Sequence, residues 1–275
     1  METISYNGKI LNLTTPVVMG ILNVTPDSFY EKSRVVDIND AVSKTGSMIE
    51  DGAQIIDIGG MSSRPGSEFI TLEEELSRVI PVIKEVRKAF PDIFISVDTF
   101  RVEVAKQAEG EGTDIVNDIS AGSLDPALPE FVAEKKLPYI FMHMLGKPKT
   151  MQENPAYDDV VSDILKFMIN KIRYFRSIGI EQIIADPGFG FGKSIEDNYR
   201  ILNNLEVFRL AEVPVLAGIS RKSMLYRFLN ITPEESLNAT TAMHVVALQK
   251  GAKVLRVHDV KEAVEVVRLL KKLNA

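Results

Sequence analysis

Residues 93–120, IFISVDTFRVEVAKQAEGEGTDIVNDIS, contain one full unit of the architecture and set its rhythm. The run 93–97 is apolar enough to be a buried strand, and it delivers Asp98-Thr99 at its end. Residues 102–108 then change period, with Val102, Ala105 and Ala108 at helical spacing. After a glycine-containing stretch a second apolar run, 114–116, ends in Asn117-Asp118.

Outward from this segment the unit repeats. Apolar runs stand at 17–22, 55–58, 93–97, 114–116, 138–142, 182–185, 214–217 and 253–257. Helical patterns lie between or after them, among them 41–49, 72–89, 102–108, 160–175, 198–205, 237–249 and 260–273. The steps Gly52-Ala53 and Gly251-Ala252 read as helix ends running into the next strand. Strands that are apolar throughout, rather than alternating, belong to parallel sheets covered by helices. Eight such units with none to spare predict a closed (β/α)8 TIM barrel; a doubly wound sheet would have fewer strands and a dinucleotide-type turn after the first. Ahead of the barrel, Ile4 and Tyr6 alternate with polar residues, Asn7-Gly8 supplies a two-residue turn, and Ile10, Leu11 and Leu13 return, which predicts an N-terminal β-hairpin. No linker or change of composition divides the chain, so residues 1–275 are expected to form a single domain.

Composition narrows the function classes. A hydrophobic share of 45% and a charged share of 25% are those of a globular protein. The net charge of -6, with no basic stripe, argues against a nucleic-acid partner. The absence of cysteine removes disulfides, thiolate metal sites and Cys nucleophiles together. The N-terminus has no basic stretch followed by an apolar one, and no apolar run reaches the ~18 residues of a membrane span. A cytoplasmic enzyme is the expectation.

The polar residues sharpen it. The strands lead in turn into Asn23, Asp57, Asp98-Thr99, Asn117-Asp118, His143, Asp186-Pro187-Gly188, Ser220-Arg221-Lys222, and Arg256 with His258. A single Asp after a strand is commonly a helix cap. Polar tips on every strand are not explained that way, and in such a barrel they converge on the rim where active sites lie. Asp98, Asn117 and Asp186 offer acceptors suited to the amidine-like edge of a flat heterocycle. Lys222 and Arg221 suit a carbonyl or an anionic group, and Ser63, Arg64, Arg256 and His258 suit a phosphate or diphosphate. The loop 187–194, PGFGFGKS, imitates a P-loop but has Pro187 where the first glycine is required. Three histidines without dense spacing speak against a zinc site, whereas a Mg2+ bridging substrate phosphates stays open.

At these residues the chain resembles the dihydropteroate synthases, the folate-pathway enzymes that are targets of sulfonamide drugs. GILNVTPDSF, IIDIGGMSSRPGSE, ISVDTF, IVNDISAG, MHMLGKPKTMQ, IIADPGFGFGKS, PVLAGISRKS and LRVHDV follow one another in family order. The resemblance implies transfer of a reduced pterin from its diphosphate to 4-aminobenzoate by a homodimer. It implies that Asn23 contacts Mg2+, and that Asp98, Asn117, Asp186 and Lys222 hold the pterin between Phe191 and Met142. It further implies that Ser63, Arg64, Arg256 and His258 bind diphosphate, and that Ser220, Pro65, Phe29 and Phe189 border the aminobenzoate. Arg64, Lys222, Arg256 and His258 would carry the chemistry. The sequence departs from the family at Ser63, where Thr is usual, at Met61, where acids are common, and in the first loop, SFYEKSR. Two rivals are a barrel moving a methyl group from methyltetrahydrofolate, which has no use for SxRPG and RVH, and a paralogue that binds pterin without turnover. His244 is expected to be structural, Asp118 a cap, and Asp57 either a ligand group or a buried organiser of its loop.

Overall fold

The computed structural model describes residues 2–24, 34–61, 69–146 and 157–273. The chain opens with β1 (Thr3–Tyr6) and β2 (Lys9–Asn12), followed by β3 (Val17–Asn23), α1 (Arg34–Glu50), β4 (Ile55–Gly59) and α2 (Leu72–Ala89). It continues through β5 (Phe94–Asp98), α3 (Val102–Gly110), β6 (Ile115–Asp118), α4 (Ala127–Lys135), β7 (Tyr139–Met142) and α5 (Val160–Ser177). The last part holds β8 (Ile183–Asp186), α6 (Ile195–Asn203), β9 (Leu216–Ala217), α7 (Ser223–Leu229), α8 (Leu237–Gln249), β10 (Val254–Val257) and α9 (Val260–Leu273).

The eight strands after the hairpin pair in parallel in the order β8-β7-β6-β5-β4-β3-β10-β9. A parallel bridge between Ala185 and Val215 joins the two outer strands and closes the wall. This is the (β/α)8 barrel expected from the repeat, with the antiparallel hairpin as a separate sheet.

Two apolar layers hold it. Outward-facing strand residues such as Ile56, Val97, Val116 and Phe141 pack under the helices. Inside, the lower end of every barrel strand gives an apolar side chain, among them Met19, Phe94 and Ile140, and these close on Ile4, Leu11 and Leu13 of the hairpin. The hairpin therefore stoppers the barrel at the strands' N-terminal end. Its turn uses Asn7 at φ 48° and Gly8 at φ 78°, the left-handed pair that a tight hairpin turn demands. Polar pegs fix its placement: Lys9 and Arg87 both reach the buried Asp114 at 2.6 Å, and Gln182 exchanges hydrogen bonds with the Ser5 backbone.

Helix starts follow local chemistry. Thr71 caps α2 by accepting from Glu74 N, Asp159 caps α5, and Ser194 with Asp197 forms a capping box that starts α6 at Ile195. That box moves α6 a few residues upstream of the span expected from periodicity, 198–205. Helices α4 and α7 are not evident from periodicity. The first carries Pro129 in its opening turn, and the second is only seven residues long.

Candidate active site

Stepping along each strand by two carries one from the stoppered base to the rim. Above the apolar layer come Asp57 on β4, Ser96 on β5, Asn117 on β6, Asp186 on β8 and Arg256 on β10; Asn23 and Asp98 end their strands, and Ser220 and His258 follow theirs. Register joins neighbours into a belt: Asp57 is opposite Ser96, Asp98 opposite Asn117, and Met142 opposite Asp186.

Arg256 organises one side of this belt. Its Nε donates to Asp57 Oδ2 at 2.6 Å and its Nη2 to Asp98 Oδ2 at 2.7 Å. Asn117 Nδ2 donates to the same Asp57 oxygen at 3.1 Å. Burial works against the guanidinium's charge, but Asp57 and Asp98 more than reverse this and hold its pKa above the ordinary arginine value. Burial pushes Asp98 up to about 7, against the pull of Arg256. Asp57 Oδ1 and Ser96 Oγ, opposite each other in register, have no hydrogen-bond partner among the described residues. Asp57 thus holds Arg256 and Asn117 through one oxygen and leaves the other unpartnered among the described residues.

Across the mouth lie Asp186, Lys222 and the glycine-rich loop. Asp186 Oδ1 accepts from Gly188 N at 2.7 Å, and burial raises its pKa despite the nearby Lys222. Lys222 Nζ donates to Phe189 O and sits 4.8 Å over the Phe191 ring; burial lowers it to about 8. Gly218 leaves a gap between these two charges: a Cβ there would stand 3.6 Å from Lys222 Nζ and 3.7 Å from Asp186 Oδ2. Phe191 packs with Met142 and Ile119 in a small apolar cluster of its own, with Met144 against it. The rim thus combines three carboxylates (Asp57, Asp98, Asp186), an amide, two cations (Lys222, Arg256) and an apolar wall. Such a set offers acceptors, donors and an apolar face within one mouth.

A second clamp joins the ends of β9 and β10. Ser220 Oγ and His258 Nδ1 are 3.0 Å apart, and His258 N donates to Ser220 Oγ. Arg221 does not join the anion-holding group proposed for it from sequence. It adopts φ 53° and turns its fork onto Asp259 at 2.9 and 2.7 Å. That left-handed turn separates Ser220 from Lys222, and the fork ties it down.

The structure brings together Asp98, Asn117, Asp186, Lys222, Phe191 and Arg256, with Ser220 and His258 paired beside β10. Asn23 is exposed at the tip of β3, beside Gly59. Ser63, Arg64, Pro65 and Phe29 lie outside the described residues. Phe189 is fully buried in the main core, so its ring is wall rather than border. His244 is buried in α8, as expected of a structural histidine. Asp118 ties its loop by accepting from Ser120, Gly122 and Tyr139. Among the described residues no group of three or more His, Cys, Asp or Glu side chains could hold a metal, and no helix is long and apolar enough to cross a membrane. The opposite face has a cavity of about 780 Å³ lined by Pro16, Arg209, Leu248 and Lys253, among others, to which none of the rim residues contributes.

The family model described as "Pterin binding enzyme" matches residues 19–258. The chain is 46% identical over 265 residues to dihydropteroate synthase of Escherichia coli strain K12, covering 96% of this chain and 93% of that one. A solved Yersinia pestis dihydropteroate synthase in a sulfonamide drug complex superimposes with a TM-score of 0.93 at 39% identity, covering 99% of both chains. The Xanthomonas albilineans enzyme with 4-aminobenzoic acid gives 0.93 at 39% identity, covering 100% of this chain and 98% of that one.

Proposed function

Because the chain belongs to the pterin binding enzyme family, and within it to the dihydropteroate synthases, we propose that its rim cluster holds the reduced pterin of that reaction. The enzyme condenses 6-hydroxymethyl-7,8-dihydropterin diphosphate with 4-aminobenzoate, giving 7,8-dihydropteroate and diphosphate in folate biosynthesis.

Asp98, Asn117 and Asp186 serve the amino and ring N–H groups of the pterin, and Lys222 donates to its carbonyl side. Phe191 and Met142 flank its faces. Ser63, Arg64, Arg256 and His258 take the diphosphate, and Ser220 borders the aminobenzoate. What carries this reading is that Arg256 bridges Asp57 and Asp98 within the same rim as Asn117, Asp186 and Lys222. A cation for the departing anion and acceptors for the base thereby share one mouth.

The amine nitrogen forms a C–N bond at the pterin methylene while the C–O bond to diphosphate breaks, and the amine proton passes to solvent. The aromatic amine is neutral and nucleophilic at pH 7, so the barrier lies in breaking the C–O bond. Donors aimed at the departing oxygens lower it without reorganising. His143 is a weak base in this setting: burial and Lys193 bring its pKa down to about 3, and its Nδ1 lies 3.1 Å from Lys193 Nζ. Asn23 carries a hard amide oxygen with no dense acidic cage around it among the described residues, which suits a Mg2+ held chiefly by diphosphate and water. When bound, that ion supplies neutralisation of the leaving charge.

Release of diphosphate, measured with and without 4-aminobenzoate and Mg2+, tests the reading. Amine-dependent release is expected. A pterin binder without turnover, or a methyl-transferring barrel, would release none. We further place the protein in the cytoplasm as a homodimer, the latter supported by Leu269 and Leu273, 70% and 74% exposed on α9. Sedimentation at dimer mass is the check.

A further inference from the structure

The rim mechanism makes no use of Lys193, although its side chain is 2% exposed and its ammonium lies inside the protein. No carboxylate pairs with it among the described residues. Its partners are neutral: Phe191 O at 2.9 Å, His143 O at 3.2 Å and His143 Nδ1 at 3.1 Å. Lysine is almost never buried without a counter-ion, because desolvating the ammonium is costly. A methionine of similar length would be cheaper to bury there, so the ammonium must contribute something besides burial: its hydrogen bonds to two backbones and its attraction to Asp186.

The geometry concerns two backbones that touch. A Cβ on Gly188 would stand 2.0 Å from His143 O, and one on Gly192 would stand 2.5 Å from Leu145 O. Loop 187–193 and segment 143–145 therefore lie against each other, with Met142 Cγ and Leu145 Cβ alongside the two contacts. Lys193 bridges the pair through one carbonyl on each side. The carbonyl on one side belongs to Phe191, and the one on the other follows Met142. The rings and chains of Phe191 and Met142 meet in the small apolar cluster at the rim. Lys222 pins the same loop from the other side through Phe189 O. Two lysines, one facing the ligand and one behind the loop, thus fix a segment whose glycines 188, 190 and 192 all have positive φ.

We propose that Lys193 is a positioning residue for the pterin subsite, setting the spacing between Phe191 and Met142 by clamping the backbone of Phe191 to that of His143, the residue after Met142. This rests on the assignment of the rim to the pterin. Lys193 touches no substrate. Its charge also lies near Asp186, and burial drops its pKa to about 7.

The test uses the full-length chain, with Lys193→Met, Lys193→Gln, Phe191→Leu and the Met–Leu double variant assayed beside wild type. Removing a buried donor from two carbonyls is expected to raise KM for the pterin diphosphate about tenfold in Lys193→Met. KM for 4-aminobenzoate should stay within about twofold, and kcat should fall less than the pterin KM rises. Lys193→Gln keeps one donor and should recover part of the loss; it decides the matter if the Met variant does not fold. Because Lys193 acts through Phe191, the effects of Lys193→Met and Phe191→Leu should be less than additive. An active wild type beside a folded Lys193→Met with unchanged pterin KM overturns the inference alone, as do equal losses for both substrates. A wild type that releases no diphosphate overturns the functional reading and this inference with it.

Discussion

The guanidinium of Arg256 on β10 spans the barrel mouth to the carboxylate of Asp98 on β5, Nη2 to Oδ2 at 2.7 Å. The acid proposed for the pterin and the cation proposed for the departing anion are thus in contact before either meets a ligand. An incoming amino group that takes Asp98 competes with Arg256, and Asp57 keeps hold of Nε at 2.6 Å while the exchange occurs. Substrate entry would thereby free one edge of the guanidinium for the diphosphate.

Arg256→Ala should lower kcat by ~10²–10³-fold, the usual loss when a preorganised donor to a developing anion is removed. It also leaves Asp57 and Asp98 without their cation, at a cost to folding of up to ~3–5 kcal/mol unless the carboxyls take up protons. Steady-state kinetics and thermal unfolding read the two effects separately. Full turnover at saturating substrate would contradict the electrostatic account.

Asp186→Asn should act on binding. The substitution keeps the shape and one acceptor but removes the charge beside Lys222. Affinity for a pterin measured by calorimetry should drop about tenfold or more, with kcat less affected. An unchanged dissociation constant would remove Asp186 from the pterin contacts.

The pH dependence follows from two groups with opposite needs. Asp98 accepts from two donors best when ionised, and burial raises its pKa to about 7. Lys222 must be charged to donate, and burial brings it down to about 8. Pterin affinity should therefore rise as pH climbs through the first value and fall above the second, a narrow bell. Asp98→Asn should weaken the lower limb, which the raised Asp186 still carries in part, and leave the upper one. Profiles of kcat/KM for the pterin substrate decide it, and a flat profile between about pH 6 and 9 would be the contrary result.

Two glycines separate fold from site. A Cβ at Gly218 meets only ordinary contacts, so Gly218→Ala should fold normally, yet its methyl stands beside both Lys222 and Asp186 and should weaken pterin binding. A Cβ at Gly188 would strike His143 O at 2.0 Å in a backbone at φ 72°, so Gly188→Ala should cost at least ~2 kcal/mol of stability. Unfolding curves and pterin titrations of the two variants should move in opposite columns; a stability loss for Gly218→Ala equal to that for Gly188→Ala would refute the distinction.

The barrel was legible because its signal is repeated: eight apolar runs, each followed by a polar tip. Asp98, Asn117, Asp186 and Lys222 were legible as neighbours for the same reason, since strand ends of one barrel must meet. Their pairings were not. Asp57 and Arg256 are 199 residues apart, and nothing local marks one as the other's partner. Arg221 offered a cation, but only the fold shows it spent on Asp259. Lys193 was hidden by its setting, since the PGFGFGKS loop invites comparison with phosphate-binding loops, and rejecting that comparison leaves its lysine unasked about. A lysine closing a run of alternating glycines is the clue that was available. Helices α4 and α7 escaped because short segments with a proline or few turns hold too little periodicity to register.

Among the described residues the hairpin fills the base of the barrel, which leaves the rim as the approach to the belt. Two reactants must arrive, and two products depart, by that approach, and the belt holding Asp57, Asn117 and Asp186 lies deeper than Asn23 or His258. An ordered sequence is the expected consequence, with the reactant held by that belt entering before the other.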